Sequence, residues 1–168
     1  KTYASLQSSF AGAERVFSIL DLDEEKIKEG NKELIKFNHS IEFQNISFKY
    51  PSRNAAVLTK INVTVEKSKI LAIVGMSGAG KTTLVDLLFR FHEPFAGSIS
   101  IDGINIKDYT LKSLRNNLAL VSQETFLFND SIRKNIAYGK LDSSENDIIY
   151  ASKAAHVDSF VSEFEEGY

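Results

Sequence analysis

The segment Gly75-Met76-Ser77-Gly78-Ala79-Gly80-Lys81-Thr82 constrains this chain more than any other part of it. It fits G-x-x-x-x-G-K-[ST] at every fixed position, with an apolar run just before it and a helical pattern just after. The residue types follow from the chemistry of holding a phosphate. Glycines let the backbone wrap closely around phosphate oxygens, so that main-chain N–H groups point inward. The positive end of the following helix adds to the same site. Lys81 supplies a mobile ammonium for β- and γ-phosphates, and the Thr82 hydroxyl can ligate magnesium. A functionless Gly-rich turn is the competing reading, and the strand-then-helix context argues against it. The expected ligand is a nucleoside triphosphate, ATP with Mg2+, and Thr83 is counted with the nucleotide-binding residues.

Around the loop, periodicity supplies a frame. Residues 1–20 show one amphipathic helix, with Leu6, Phe10, Ala13, Phe17 and Leu20 at spacings of three and four. The charged run from Asp21 to Lys36 reads as a solvated linker. From Ser40 the period becomes two, and Ile41/Phe43 change phase to Ile46/Phe48/Tyr50. Such a slip predicts a β-bulge near Gln44 and Asn45. Val57 to Glu66 alternates again, and Lys67-Ser68 makes a turn. Ile70 to Val74 and Leu118 to Val121 are short apolar runs suited to strands buried on both faces. Thr82 to Phe91 is helical, with apolar residues round most of its circumference. Asp102-Gly103 between Ile99/Ile101 and Ile104/Ile106 predicts a hairpin. Further helices are expected over Leu111–Asn116, Ser131–Ala137 and Ser144–Ala155. The order argues for an α/β fold with an antiparallel subdomain.

Composition excludes several classes. The 168 residues carry a net charge of −2, which gives no general pull toward nucleic acid. There is no cysteine, so disulfides and thiolate metal sites are excluded. His39, His92 and His156 lack metal-ligand spacing and read as surface or packing residues. No apolar stretch is long enough to cross a bilayer.

The loop alone does not separate transporters, small-molecule kinases, GTPases and motors. Its surroundings do: Phe48-Lys49-Tyr50-Pro51, Gly97-Ser98-Ile99-Ser100-Ile101-Asp102-Gly103, Val121-Ser122-Gln123-Glu124, and Ser131-Ile132-Arg133-Lys134-Asn135-Ile136-Ala137-Tyr138-Gly139. With these the chain resembles the nucleotide-binding domain of ATP-binding-cassette transporters, closest to exporters whose membrane and ATPase domains share one polypeptide. The resemblance implies a P-loop NTPase (RecA-like) core with an antiparallel β subdomain. It divides the chain into residues 1–20, continuing from the last membrane helix, a linker over 21–39, and an ATP-binding part over 40–168. It assigns Tyr50 to stacking on adenine, a role an aromatic face suits. It assigns Gln123 to magnesium and the attacking water. Phe126 and Phe128 fall where the family's surface receives a coupling helix of the membrane domain, although aromatics are more often plain core.

The expected partners are a second nucleotide-binding domain, identical or not, and those coupling helices. The expected location is the cytoplasmic side of a membrane. Two features of a complete cassette are absent from these residues. No apolar run after Thr82 ends in Asp-Glu, and no two of the nine glycines are adjacent, as a Ser-Gly-Gly-Gln signature requires. The chain therefore reads as the first part of an ATPase domain, unable to hydrolyse ATP by itself. Ser68 stands where the family usually has a turn glycine. The rival from another class is a regulatory module that binds ATP without turnover. A small-molecule kinase would need an arginine-rich lid, and Arg133 is the only arginine after Arg115.

Overall fold

The computed structural model describes residues 2–21, 27–161, 163–164 and 167–168, with side chains omitted for 2–9 and 11. The Leu6 side chain of the amphipathic pattern and residues 22–26 of the charged run thus lie outside the described parts. The chain forms two compact units, residues 1–119 and 120–168.

The first unit opens with α1 (Thr2–Leu20), on which Phe10, Phe17 and Leu20 are exposed. Its centre is a four-stranded antiparallel sheet of β1 (Ser40–Phe48), β2 (Leu58–Glu66), β3 (Ala96–Ile101) and β4 (Ile104–Asn105), in the order β2-β1-β3-β4. The expected bulge is present. Register slips between Phe43 and Ile46 against β2 and between Gln44 and Ser47 against β3, and Asn45 takes a positive φ of 52°. The extra residue lets Phe43, Ile46 and Phe48 all reach the core despite their change of phase. The hairpin between β3 and β4 turns on Asp102 and Gly103, both at positive φ (52° and 77°), as a two-residue turn of the favoured hand requires.

Two helices cover the sheet's apolar residues: α2 (Lys81–Leu88) through Leu84 and Leu87, and α3 (Leu111–Asn116) through Leu114. Thr110 caps α3 by accepting from the Ser113 N–H.

Three expectations need correction. Neither Ile70–Val74 nor Leu118–Val121 is a strand, and Ile70 (98%) and Val121 (95%) are almost fully exposed. An apolar run becomes a strand only when a neighbour supplies backbone hydrogen bonds, and none of the four strands pairs with either run. Nor is the charged segment simply solvated. Over residues 27–38 it is strapped to the unit. The Lys32 N–H donates to Asp108 O (2.9 Å) and the Thr110 N–H to Lys32 O (2.9 Å). Leu34, 6% exposed, joins the core, while its N–H donates to Ser113 Oγ (3.1 Å) and its carbonyl accepts from Asn117 Nδ2 (2.6 Å). Phe37, partly buried, packs against the same core. At its end, Asp102 accepts N–H bonds from Asn38, His39 and Ser40 (2.7, 2.7 and 3.0 Å).

The second unit holds α4 (Ile132–Ala137), α5 (Glu145–Ala154) and α6 (Asp158–Val161). Ser131 and Ser144 are the N-caps of the first two, the second within a capping box with Asp147. The Tyr168 hydroxyl lies 2.7 Å from Ser152 Oγ and 2.6 Å from Asp158 Oδ1, tying α5 to α6.

Candidate functional site

The phosphate loop stands between the end of the 70–74 run and α2. Gly80 is the N-cap of α2 in the left-handed conformation (φ 87°, ψ 13°), and no side chain caps the helix. The positive φ favours glycine, and a Cβ there would also press on the Leu58 side chain, 2.8 Å from its Cδ2. An uncapped first turn offers its N–H groups to an anion. Within the loop, the Ala79 N–H donates to Met76 O (3.2 Å). The Lys81 ammonium curls back over the loop, donating to Gly75 O (2.9 Å) and Met76 O (2.8 Å). With three donors, it keeps one to offer outward without leaving those carbonyls.

A cleft of about 190 Å³ lies beside the loop, lined by Tyr50, Arg53, Val57, Gly78, Gly80, Lys81, Thr82 and Thr83. Tyr50 and the loop residues, far apart in sequence, thus share one cleft. The Tyr50 hydroxyl is 3.0 Å from Thr83 Oγ1, a bond between the chain after β1 and the first turn of α2. Thr83 itself is buried, whereas Thr82 is exposed. His92 packs perpendicular to the Tyr50 ring (centroids 5.2 Å apart) and tilted against Phe48 (5.5 Å), a packing role. Among the described residues no group of three or more His, Cys, Asp or Glu could hold a metal.

Sequence reasoning missed Arg53, which brings a second cation to the cleft. The signal lay in Tyr50-Pro51-Ser52-Arg53, a turn in which the Arg53 N–H donates to Tyr50 O (3.0 Å). In the second unit, Gln123 is exposed on a segment that is neither helix nor strand. Phe126 and Phe128 are exposed rather than core, meeting edge to face at 5.0 Å, and Phe128 lies 4.4 Å from the Tyr138 ring.

Known proteins resemble this chain in sequence and in fold. A lipid A-core flippase of Syntrophus aciditrophicus, described as ATP-dependent, is 46% identical over 165 residues, which are 98% of this chain and 27% of that protein. A fatty acid ABC transporter ATP-binding/permease protein of Mycobacterium bovis is 42% identical over 166 residues, 99% of this chain and 26% of that protein. Among solved structures, a bacterial Atm1-family ABC exporter with ATP bound superimposes with a TM-score of 0.80 at 36% identity. That match covers 99% of this chain and 29% of that one. The chain therefore spans less than a third of these relatives' length. The family model for ABC transporters matches residues 58–167, from the start of β2 through the phosphate loop and the second unit. With an ABC nucleotide-binding fold built round a P-loop and an antiparallel sheet, this chain belongs to the ABC transporter family.

Proposed function

We propose that this chain is the ATP-binding part of an exporter's motor, which in the whole protein hydrolyses ATP to drive transport across a membrane. The observation that carries the reading is the shared cleft, in which a fitting loop, two cations and an aromatic ring meet. The loop N–H groups, the α2 N-terminus and Lys81 take the phosphates, Arg53 adds positive charge at the rim, and Tyr50 stacks on the base. The Tyr50–Thr83 bond ties the chain after β1 to the helix that follows the loop.

The residues present fit magnesium that arrives with its nucleotide. Mg2+ commonly takes one or two protein oxygens and fills its octahedron with phosphates and water, and the exposed Thr82 hydroxyl is such an oxygen. Bound magnesium neutralises charge that develops on the phosphates during transfer. The magnesium role of Gln123 rests on the family resemblance alone. The partners in this reading are a second nucleotide-binding domain and the membrane domain's coupling helices, with Phe126 and Phe128 as the exposed aromatics on offer. α1 continues a membrane helix, and the ATPase side faces the cytoplasm. Among the described residues no helix is itself long and apolar enough to cross a membrane.

Catalysis needs a carboxylate that residues 1–168 do not offer after an apolar run, so this stretch alone binds ATP without turning it over. Phosphate release by the full-length protein in lipid vesicles tests the reading, with Lys81→Ala and the isolated 168-residue chain beside it. Turnover is expected only in the unmodified full-length protein. Equal turnover with Lys81→Ala would overturn the role of the loop, and comparable turnover by the isolated chain would overturn the placement of the catalytic carboxylate.

A further inference from the structure

At the far end of the loop's own helix sits a buried arginine that nucleotide binding leaves without a task. Arg90 follows Phe89, the C-cap of α2, takes a positive φ of 53° and is 1% exposed. One terminal nitrogen of its guanidinium donates to Lys28 O in the strap (3.0 Å) and to Glu93 Oε1 (3.1 Å), the other to Ile106 O (3.4 Å). Glu93 is paired in turn with Lys107 (3.0 Å). Arg115 of α3 closes the same helix end, donating from Nε to Phe89 O (3.0 Å) and from a terminal nitrogen to Arg90 O (3.2 Å).

Burying a guanidinium is costly in hydration, and a methionine would fill the space without that cost. A left-handed backbone at a non-glycine residue adds strain. What arginine does here, and an apolar side chain cannot, is grip the backbone of the strap. The strap sits close at that point. Two residues on, Gly30 lies so near Asp108 that a Cβ would be 1.9 Å from the Asp108 carbonyl oxygen.

We propose that Arg90 is a positioning residue that couples the phosphate loop to the strap. α2 begins in the loop and ends at Leu88, with Phe89 as its C-cap and Arg90 next in the chain, and α-helices are stiff over eight residues. A shift of α2 as the loop closes on a triphosphate therefore moves the guanidinium, and with it the Lys28 carbonyl. This link brings the state of the nucleotide site to the strap. The inference rests on the nucleotide-binding reading above, and its test separates the two.

The experiment uses the full-length protein and a non-hydrolysable ATP analogue. Affinity is measured first, then amide exchange of residues 27–34 with and without the analogue. In the unmodified protein the analogue slows exchange there at least threefold. Arg90→Met abolishes that slowing while the analogue still binds, and Arg90→Lys, which keeps the charge and one donor, restores part of it. Coupling is reciprocal. Gly30→Ala, which lifts the strap without touching α2, therefore weakens the analogue three- to tenfold. The double variant Gly30→Ala/Arg90→Met is no weaker than the weaker single variant. Protection that survives Arg90→Met, or losses that multiply in the double variant, overturn the coupling. An unmodified protein that does not bind the analogue overturns the nucleotide reading itself.

Discussion

The Tyr50 hydroxyl and Thr83 Oγ1 lie 3.0 Å apart, so the ring assigned to the base is tied to the helix that follows the phosphate loop. The two ends of the nucleotide cleft are thus one hydrogen-bonded piece.

That bond separates two substitutions at Tyr50. Tyr50→Ala removes the ring face and lowers affinity for a fluorescent ATP analogue several-fold, about 1 kcal/mol. Tyr50→Phe keeps the face and loses the bond to Thr83, so it costs about 1 kcal/mol in folding stability and little in affinity. Equal affinity losses in both variants would show that the hydroxyl, not the ring, meets the ligand.

Lys81 behaves in the opposite way. Among the described residues its ammonium is tied to two carbonyls of its own loop. Lys81→Ala should leave the urea midpoint nearly unchanged, a shift within about 0.5 kcal/mol. Affinity for the triphosphate falls about 10- to 100-fold, the worth of a charged hydrogen bond of roughly 1.5 to 3 kcal/mol. A large drop in stability with intact affinity refutes the assignment.

Ser68 is strained where the family usually has glycine. It sits exposed in the turn after β2 at a φ of 63°, with the Lys69 N–H donating to Glu66 O (3.1 Å). A side chain in this conformation costs energy that glycine does not pay. Ser68→Gly should stabilise by about 0.5 to 1 kcal/mol, raising the thermal midpoint by a few degrees. An unchanged or lower midpoint contradicts the reading of the turn.

The clamp at Asp102 makes the strap sensitive to acid. Desolvation pushes this carboxyl up, but the N–H donors of Asn38, His39 and Ser40 outweigh it and hold the group below its ordinary value. A depressed carboxylate stabilises the fold above its unfolded pKa of about 4 and loses that contribution as pH falls through the folded value. Asp102→Asn should cost about 1 to 2 kcal/mol at pH 7. Its denaturation midpoint should also fall less steeply than the parent's as the pH drops below about 5. Parallel curves for the two proteins would remove Asp102 from the account.

Local chemistry made much of this chain legible. Gly75 to Thr82 is a contiguous motif, and the Asp102-Gly103 turn, the slip of phase at Gln44-Asn45 and the helices expected from Ser131 and Ser144 depend on neighbours a few residues away. Such features are written in sequence because backbone conformation answers first to adjacent residues. Contacts across long separations were decided only by the tertiary structure. Leu34 was one apolar residue in a charged run until Ser113 and Asn117 met its backbone, 79 and 83 positions away. Nothing in the sequence marked Arg90 within the predicted helix Thr82–Phe91; the strap carbonyl of Lys28, 62 positions before it, takes its guanidinium. Ile70–Val74 shows the same limit from the other side. Its composition suits a buried strand, but burial and pairing belong to neighbours, and a run of apolar residues does not carry its neighbours with it.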